Sequence, residues 1–206
     1  PVRVFCSGRT DAGVHAKEQV IHFETEAARE SKAWLFGGNV NLPSDVNFTW
    51  AKEVGDDFHA RFNAYARAYE FKILNHPVRS ALKADSHLWE PRLLDIEKMQ
   101  EAANLLLGEH DFSCFQDSLC QAKSPVKTIE YLKIKKNNGT VLLEIKANAF
   151  LHHMVRNIVG TLLKIGRGER ELSWIQDVLM SRDRRKAGPT AEPQGLYFIK
   201  AFYKDI

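Results

Sequence analysis

The 206-residue sequence predicts an α+β fold built on a mainly antiparallel sheet. Three observations carry that expectation. Two strand-like runs, 128–136 and 140–149, are joined by Asn137-Asn138-Gly139, residues that tolerate positive φ and so favour a tight hairpin. The run from Arg67 to Ile73 alternates apolar and charged positions, the period of a half-buried strand. Helical stretches follow these strands without the strict alternation that a parallel α/β sheet requires.

The elements follow in order. Residues 2–6 alternate like a strand, the loop SGRTDAGVHA spans 7–16, and 19–25 alternate again. Ser31 reads as the N-cap of a helix carrying Ala33 to Phe36, with Gly37-Gly38 as its stop, and 41–44 as a turn. Residues 48–54 read as a strand with Phe48 and Trp50 on one face. The polar, aperiodic stretch 56–63 suggests a boundary between an N-terminal domain, 1–62, and a C-terminal domain, 63–206. In the strand that follows, Arg67, Tyr69, Phe71 and Ile73 share a face. Asp95 caps a helix over 96–107 that ends at Gly108, and an apolar-rich helix runs from Phe150 to Ile165 before Gly166 and Gly168. A short helix over 173–180 and a strand over 195–203 complete the chain, which has no repeat or low-complexity tract.

Composition narrows the class. Hydrophobic residues at 44% and charged residues at 27% fit a globular domain, and no apolar run is long enough to span a bilayer, which argues against a membrane role. Cys6, Cys114 and Cys120 form no Cys-x-x-Cys pair, so a reducing, cytoplasmic setting is expected. The net charge of +3 identifies no partner. Local basic clusters, around Arg61 and Arg67, over 133–136, over 164–170 and over 182–186, read singly as solvated faces and together as a surface for a bent polyanion such as structured RNA.

Within SGRTDAGVHA, Gly8 and Gly13 allow sharp turns, and Ala12 and Ala16 leave room beside Asp11. Such a loop can hold a nucleophile or base in an open cleft, and an Asx-turn accounts for the same residues. A cation would orient the carboxylate and favour its charged form. Arg9 lies two residues away, and Arg156 interrupts the apolar stretch 154–159, where it is either an ionic partner or a helix-flank arginine. His152 and His153 are adjacent, so on a helix they cannot chelate a metal as i, i+4 ligands do. His22-Phe23-Glu24 matches half of a zinc deaminase signature, with no Pro-Cys-x-x-Cys to complete it. No phosphate-binding loop, dinucleotide fingerprint or nucleophile elbow occurs, and no metal or cofactor is expected. Tyr69 is a core residue by its face or, at a cleft, a stacking surface.

Three ordered stretches, GRTDAGVHA, FHARFNAYARAYEF and KANAFLHHMVRNIVG, with EPQGLYFIKA at the C-terminus, closely resemble the tRNA pseudouridine synthase I (TruA) family over almost the whole chain. The resemblance implies two similar α/β sandwich domains with mainly antiparallel sheets flanking a central RNA-binding cleft. It implies isomerisation of uridine to pseudouridine at positions 38, 39 and 40 of the tRNA anticodon stem-loop, by a homodimer without cofactor. Asp11 is then the catalytic aspartate, Arg156 its ionic partner and Tyr69 the base-stacking tyrosine. Arg9 fills the space left by the flipped uridine, and Leu196 lines the cleft. The family carries a strand and a helix ahead of the loop that here starts at residue 7, so the first domain is expected to lack them; Ala68 also stands where a basic residue is common. Two other readings follow, an RNA-binding fragment with impaired catalysis and a metal-dependent hydrolase.

Overall fold

The computed structural model describes residues 2–204. Along the chain lie β1 (Phe5–Cys6), β2 (His15–Ala16), β3 (Ile21–His22), α1 (Ser31–Asn41), β4 (Ala66–Asn75), β5 (Leu88–Glu90), α2 (Ile96–Asn104), β6 (Gly108–Asp111), β7 (Val126–Asn137), β8 (Thr140–Ala147), α3 (Met154–Gly166), α4 (Trp174–Ser181) and β9 (Leu196–Phe202). A seven-stranded sheet has the order β2-β9-β4-β8-β7-β6, with β5 also paired to β4. Its long ladders, β4 with β8 and β9, and β7 with β8 and β6, are antiparallel; only the short β2–β9 and β4–β5 pairings are parallel. This is the α+β architecture that the alternation and the hairpin signal predict.

The hairpin forms because Asn138 and Gly139 take φ of 47° and 75°, so Asn137 pairs directly with Thr140. Asp95 caps α2 by accepting from the Lys98 amide at 3.0 Å. Helices α2 and α3 cover one side of the sheet, where Met99 and Ala103 of α2 and Ile158, Val159 and Leu162 of α3 join Phe71, Leu143 and Ile145 in one buried core. The segment after α4 crosses α3 backbone to backbone. A Cβ on Gly160 would lie 1.7 Å from the Pro189 carbonyl oxygen, so only glycine permits the crossing.

Several elements differ from expectation. The helix α1 passes through Gly37-Gly38, since the bare Gly38 leaves room for the Phe48 ring, which a Cβ would approach to 2.6 Å. It stops instead at Leu42, extended with ψ of 151° as the residue before Pro43 must be, and Glu30 rather than Ser31 sits at its N-cap. No strand forms over 48–54. The Asn39 side-chain amide bonds both the Phe48 N–H and C=O, at 2.6 and 2.9 Å, doing locally what a neighbouring strand would do. The two early strands shrink to the β1–β3 pair. Residues 150–153 precede α3 rather than beginning it, because His153 takes a left-handed φ of 61° and reorients the chain.

Candidate active site

Loop 7–14 is anchored at both ends. At its start the Ser7 amide bonds Val20 O at 2.8 Å, and the Gln19 side chain reaches the Gly8 carbonyl at 2.7 Å. At its end β2 pairs with β9, aligning Ala16 with Phe198, and Gly13 turns with φ of 80° against Pro193. Gly8 lies against the sheet: a Cβ there would meet the Phe198 ring at 3.2 Å and the Tyr69 hydroxyl at 3.7 Å. The turn itself is closed by the main chain, Val14 N–H to Asp11 O at 3.1 Å, which leaves the Asp11 carboxylate free. The Asx-turn reading therefore does not describe that side chain.

Arg156 donates to Asp11 Oδ2 at 2.8 Å, across 145 residues of sequence. Its Nε–H donates to Ala191 O at 2.7 Å, and the Ala191 amide returns a bond to Arg156 O, so the crossing segment fixes the guanidinium. His153 Nε2 stands 3.0 Å from the same Asp11 oxygen and His152 Nε2 3.3 Å from Oδ1. Behind them lies Asp117, whose carboxyl is held below the usual carboxylate range by the Leu119 amide and, secondarily, by His153. The two histidine rings stack at 3.9 Å, an arrangement open to them because neither belongs to the helix. Asp11, His152 and His153 bring donor atoms within 4.8 Å of one another. Arg156 already takes up Asp11 Oδ2, one of the oxygens a metal would use, and a second carboxylate, Asp117, lies behind the two stacked rings.

Tyr69 sits opposite Phe198 in the β4–β9 ladder, its ring edge-to-face with Phe150 at 4.9 Å and Phe198 at 5.1 Å. Burial pushes its hydroxyl far above the usual tyrosine range. Arg67 donates to main-chain oxygens of Ser7, Arg61, Ala64 and Asn148, stapling the loop base to β4. Arg9 reaches Gln121 at 3.2 Å. Leu196 is buried beneath the site, and with Asp11, Arg156, Tyr69 and Arg9 it lines one cleft of about 1030 Å³. Among the described residues lining that cleft, Asp11 is the one carboxylate, against Arg3, Arg9, Arg61, Arg67, Lys127 and Arg156.

A family model described as tRNA pseudouridine synthase matches residues 102–204. The tRNA pseudouridine synthase A of Pseudomonas aeruginosa is 51% identical over 203 residues, covering 98% of this chain and 71% of that protein. Those of Hydrogenovibrio crunogenus and Methylococcus capsulatus are 50% and 51% identical over 205 residues, covering 100% of this chain and 78% and 76% of theirs. The chain belongs to the tRNA pseudouridine synthase family. The matched family region carries Arg156 and Leu196, while Asp11, Arg9 and Tyr69 fall in the longer alignments to these relatives.

Sequence reading missed Asp117, which sits in an ordinary polar loop without a motif, and placed the two histidines on a helix. The positive φ at His153 has no local cue. Of the basic clusters, the one around Arg61 and Arg67 lines this cleft, and those over 133–136, 164–170 and 182–186 do not. Arg167 binds the buried Glu90, to which Arg92 also donates at 3.0 Å, and this closes a structural network.

Proposed function

We propose that this chain isomerises uridine to pseudouridine in tRNA, at positions 38, 39 and 40 of the anticodon stem-loop, with Asp11 as the reacting group. The observation that carries the reading is a single carboxylate, oriented by Arg156, in a cleft whose lining arginines and lysine carry the opposite charge. A polyanion is drawn to such a cleft, yet meets one negative group placed to react.

The target base lies in a stem-loop and must be extruded, at a cost of a few kcal/mol that backbone contacts and stacking offset. Arg9, exposed at the mouth, enters the space the base vacates, and Tyr69 and Leu196 offer the base a flat, apolar seat. Asp11 Oδ2 is held by Arg156 and His153, while Oδ1 has only the longer 3.3 Å approach of His152 Nε2, so Oδ1 is the oxygen assigned to substrate. Two routes use it. In one, Oδ1 bonds C1′ while the C1′–N1 pair leaves with uracil; the uracil turns, C5 displaces Oδ1 from C1′, and the C5 proton departs. In the other, Oδ1 takes the C2′ proton and the C2′–H pair becomes a C1′=C2′ bond as N1 leaves. Asp11 then returns that proton to C2′ as C5 bonds C1′. Either way N1 gains a proton, C5 loses one and no oxidant is needed.

The domain division at residues 62 and 63, the homodimer and the cytoplasmic setting belong to the same proposal. The dimer rests on the family resemblance. Free Cys6, Cys114 and Cys120 suit a reducing compartment, and among the described residues no helix is long and apolar enough to cross a membrane. The test is incubation of the chain with an unmodified tRNA transcript, followed by nucleoside mapping. Pseudouridine confined to positions 38–40 is expected, and its absence there overturns the assignment.

A further inference from the structure

The proposed reaction uses Asp11 but leaves unexplained the second carboxylate and the imidazole wedged between the two. His153 Nδ1 lies 2.9 Å from Asp117 Oδ2 and its Nε2 3.0 Å from Asp11 Oδ2. A neutral imidazole has one N–H and one lone pair, so between two carboxylate oxygens it would set a lone pair against one of them. Only a ring with a proton on each nitrogen donates to both, and such charge-assisted bonds are the strong ones.

We infer that His153 is held as a doubly protonated strut, anchored by Asp117, and that it is a positioning residue for the isomerisation through an Nε2 proton shared with Asp11. The inference rests on the proposed function for its catalytic part alone. His152 faces the same carboxylates at 3.3 and 3.8 Å, and its buried Nδ1 has no hydrogen-bond partner, so of the two rings His153 makes both contacts. The charged groups around His153 are Asp11 from loop 7–14, Asp117 from the segment after β6, the stacked His152, and Arg156 one turn into α3. Arg184, beyond α4, acts on Asp117. At rest two carboxylates face two cations, Arg156 and His153. Once Asp11 gives up its negative charge, to a bond with C1′ or to the C2′ proton, that charge resides on the departing uracil. The two cations then face an anion forming beside them, in place from the start, which is the condition for electrostatic stabilisation of a transition state.

Two readouts test this. In the intact chain with 15N-labelled histidine, NMR across a pH titration should show one ring that keeps both nitrogen protons after the other histidines have lost theirs, and Asp117→Asn should abolish that behaviour. A parent chain with no such ring overturns the strut. In turnover, His153→Gln should lower kcat on the order of 10²-fold. It should also remove the fall in kcat that the parent shows as rising pH strips the shared proton, because the amide does not titrate. His153→Gln with the parent's rate and pH profile overturns the positioning role. If His153→Gln fails to fold, Asp117→Asn serves as the second variant: kcat should drop and the alkaline fall should move to lower pH, and an unchanged rate and profile overturns the positioning role. A parent that binds tRNA without turning it over counts against the proposed reaction, and the NMR titration still decides the strut.

Discussion

Residues 2–62 contain two-residue strands and a helix, α1, with no buried side chain, whereas residues 66–202 carry the long ladders and a core shared by α2, α3 and the sheet. The carboxylate proposed to react comes from the first region and the groups that hold it from the second. Loop 7–14 is secured by a few contacts, Gln19 to Gly8, Gly8 against Phe198 and the short β2–β9 pairing. Arg156 is secured by a helix and by a strap crossing it at Gly160. The difference teaches that precision at Asp11 is imposed from outside its own segment, by side chains of the better-packed region reaching across to it.

The comparison can be broken most forcefully at the junction. Arg156→Ala removes the guanidinium from Asp11 and should cost on the order of 10³ in kcat, with tRNA binding largely retained. Single-turnover kinetics beside a binding isotherm would show whether rate and affinity separate. A parallel loss of both would mean that Arg156 serves only to hold the loop in place.

Two glycine substitutions sharpen the contrast between the regions. Gly160→Ala drives a methyl into the Pro189 carbonyl and should destabilise the fold by about 3 kcal/mol, read from urea unfolding. Gly37→Ala, in α1, has open space around the new Cβ and should stabilise by roughly 0.5 kcal/mol without changing turnover. Equal effects at the two sites would contradict the difference in packing.

The Glu90 network offers a pH test confined to the second region. Burial alone would raise the Glu90 carboxyl, but hydrogen bonds from Arg92 and Arg167 outweigh it and set the group below its ordinary value of 4.5. A carboxyl depressed in the folded state contributes stability above its unfolded value and loses it as pH falls through the folded one. Thermal stability should therefore decline on acidification below the ordinary carboxylate range, and Glu90→Gln should flatten that decline while lowering stability at neutral pH.

Much of the second region was legible in sequence because its signals are local: the alternation at Arg67–Ile73, the Asn138-Gly139 turn and the Asp95 cap. The first region was less so. Its apparent strand at 48–54 has its first residue bonded by a side chain of α1, and the glycine pair that should stop α1 instead accommodates Phe48. At the site, the motif around Asp11 and the lone arginine in an apolar stretch pointed to residues the structure brings together. Asp117 and the wedged His153 did not announce themselves, since their roles arise from a single left-handed residue that turns two rings toward a distant loop.

The central claim is that Asp11 is the reagent, and release of tritium from tRNA labelled at uracil C5 tests it most directly, because that hydrogen must leave when C5 becomes the glycosidic carbon. The parent chain should release tritium, and Asp11→Ala should bind the same tRNA and release none. Release by the alanine variant at the parent's rate would place the chemistry on another group and contradict the account.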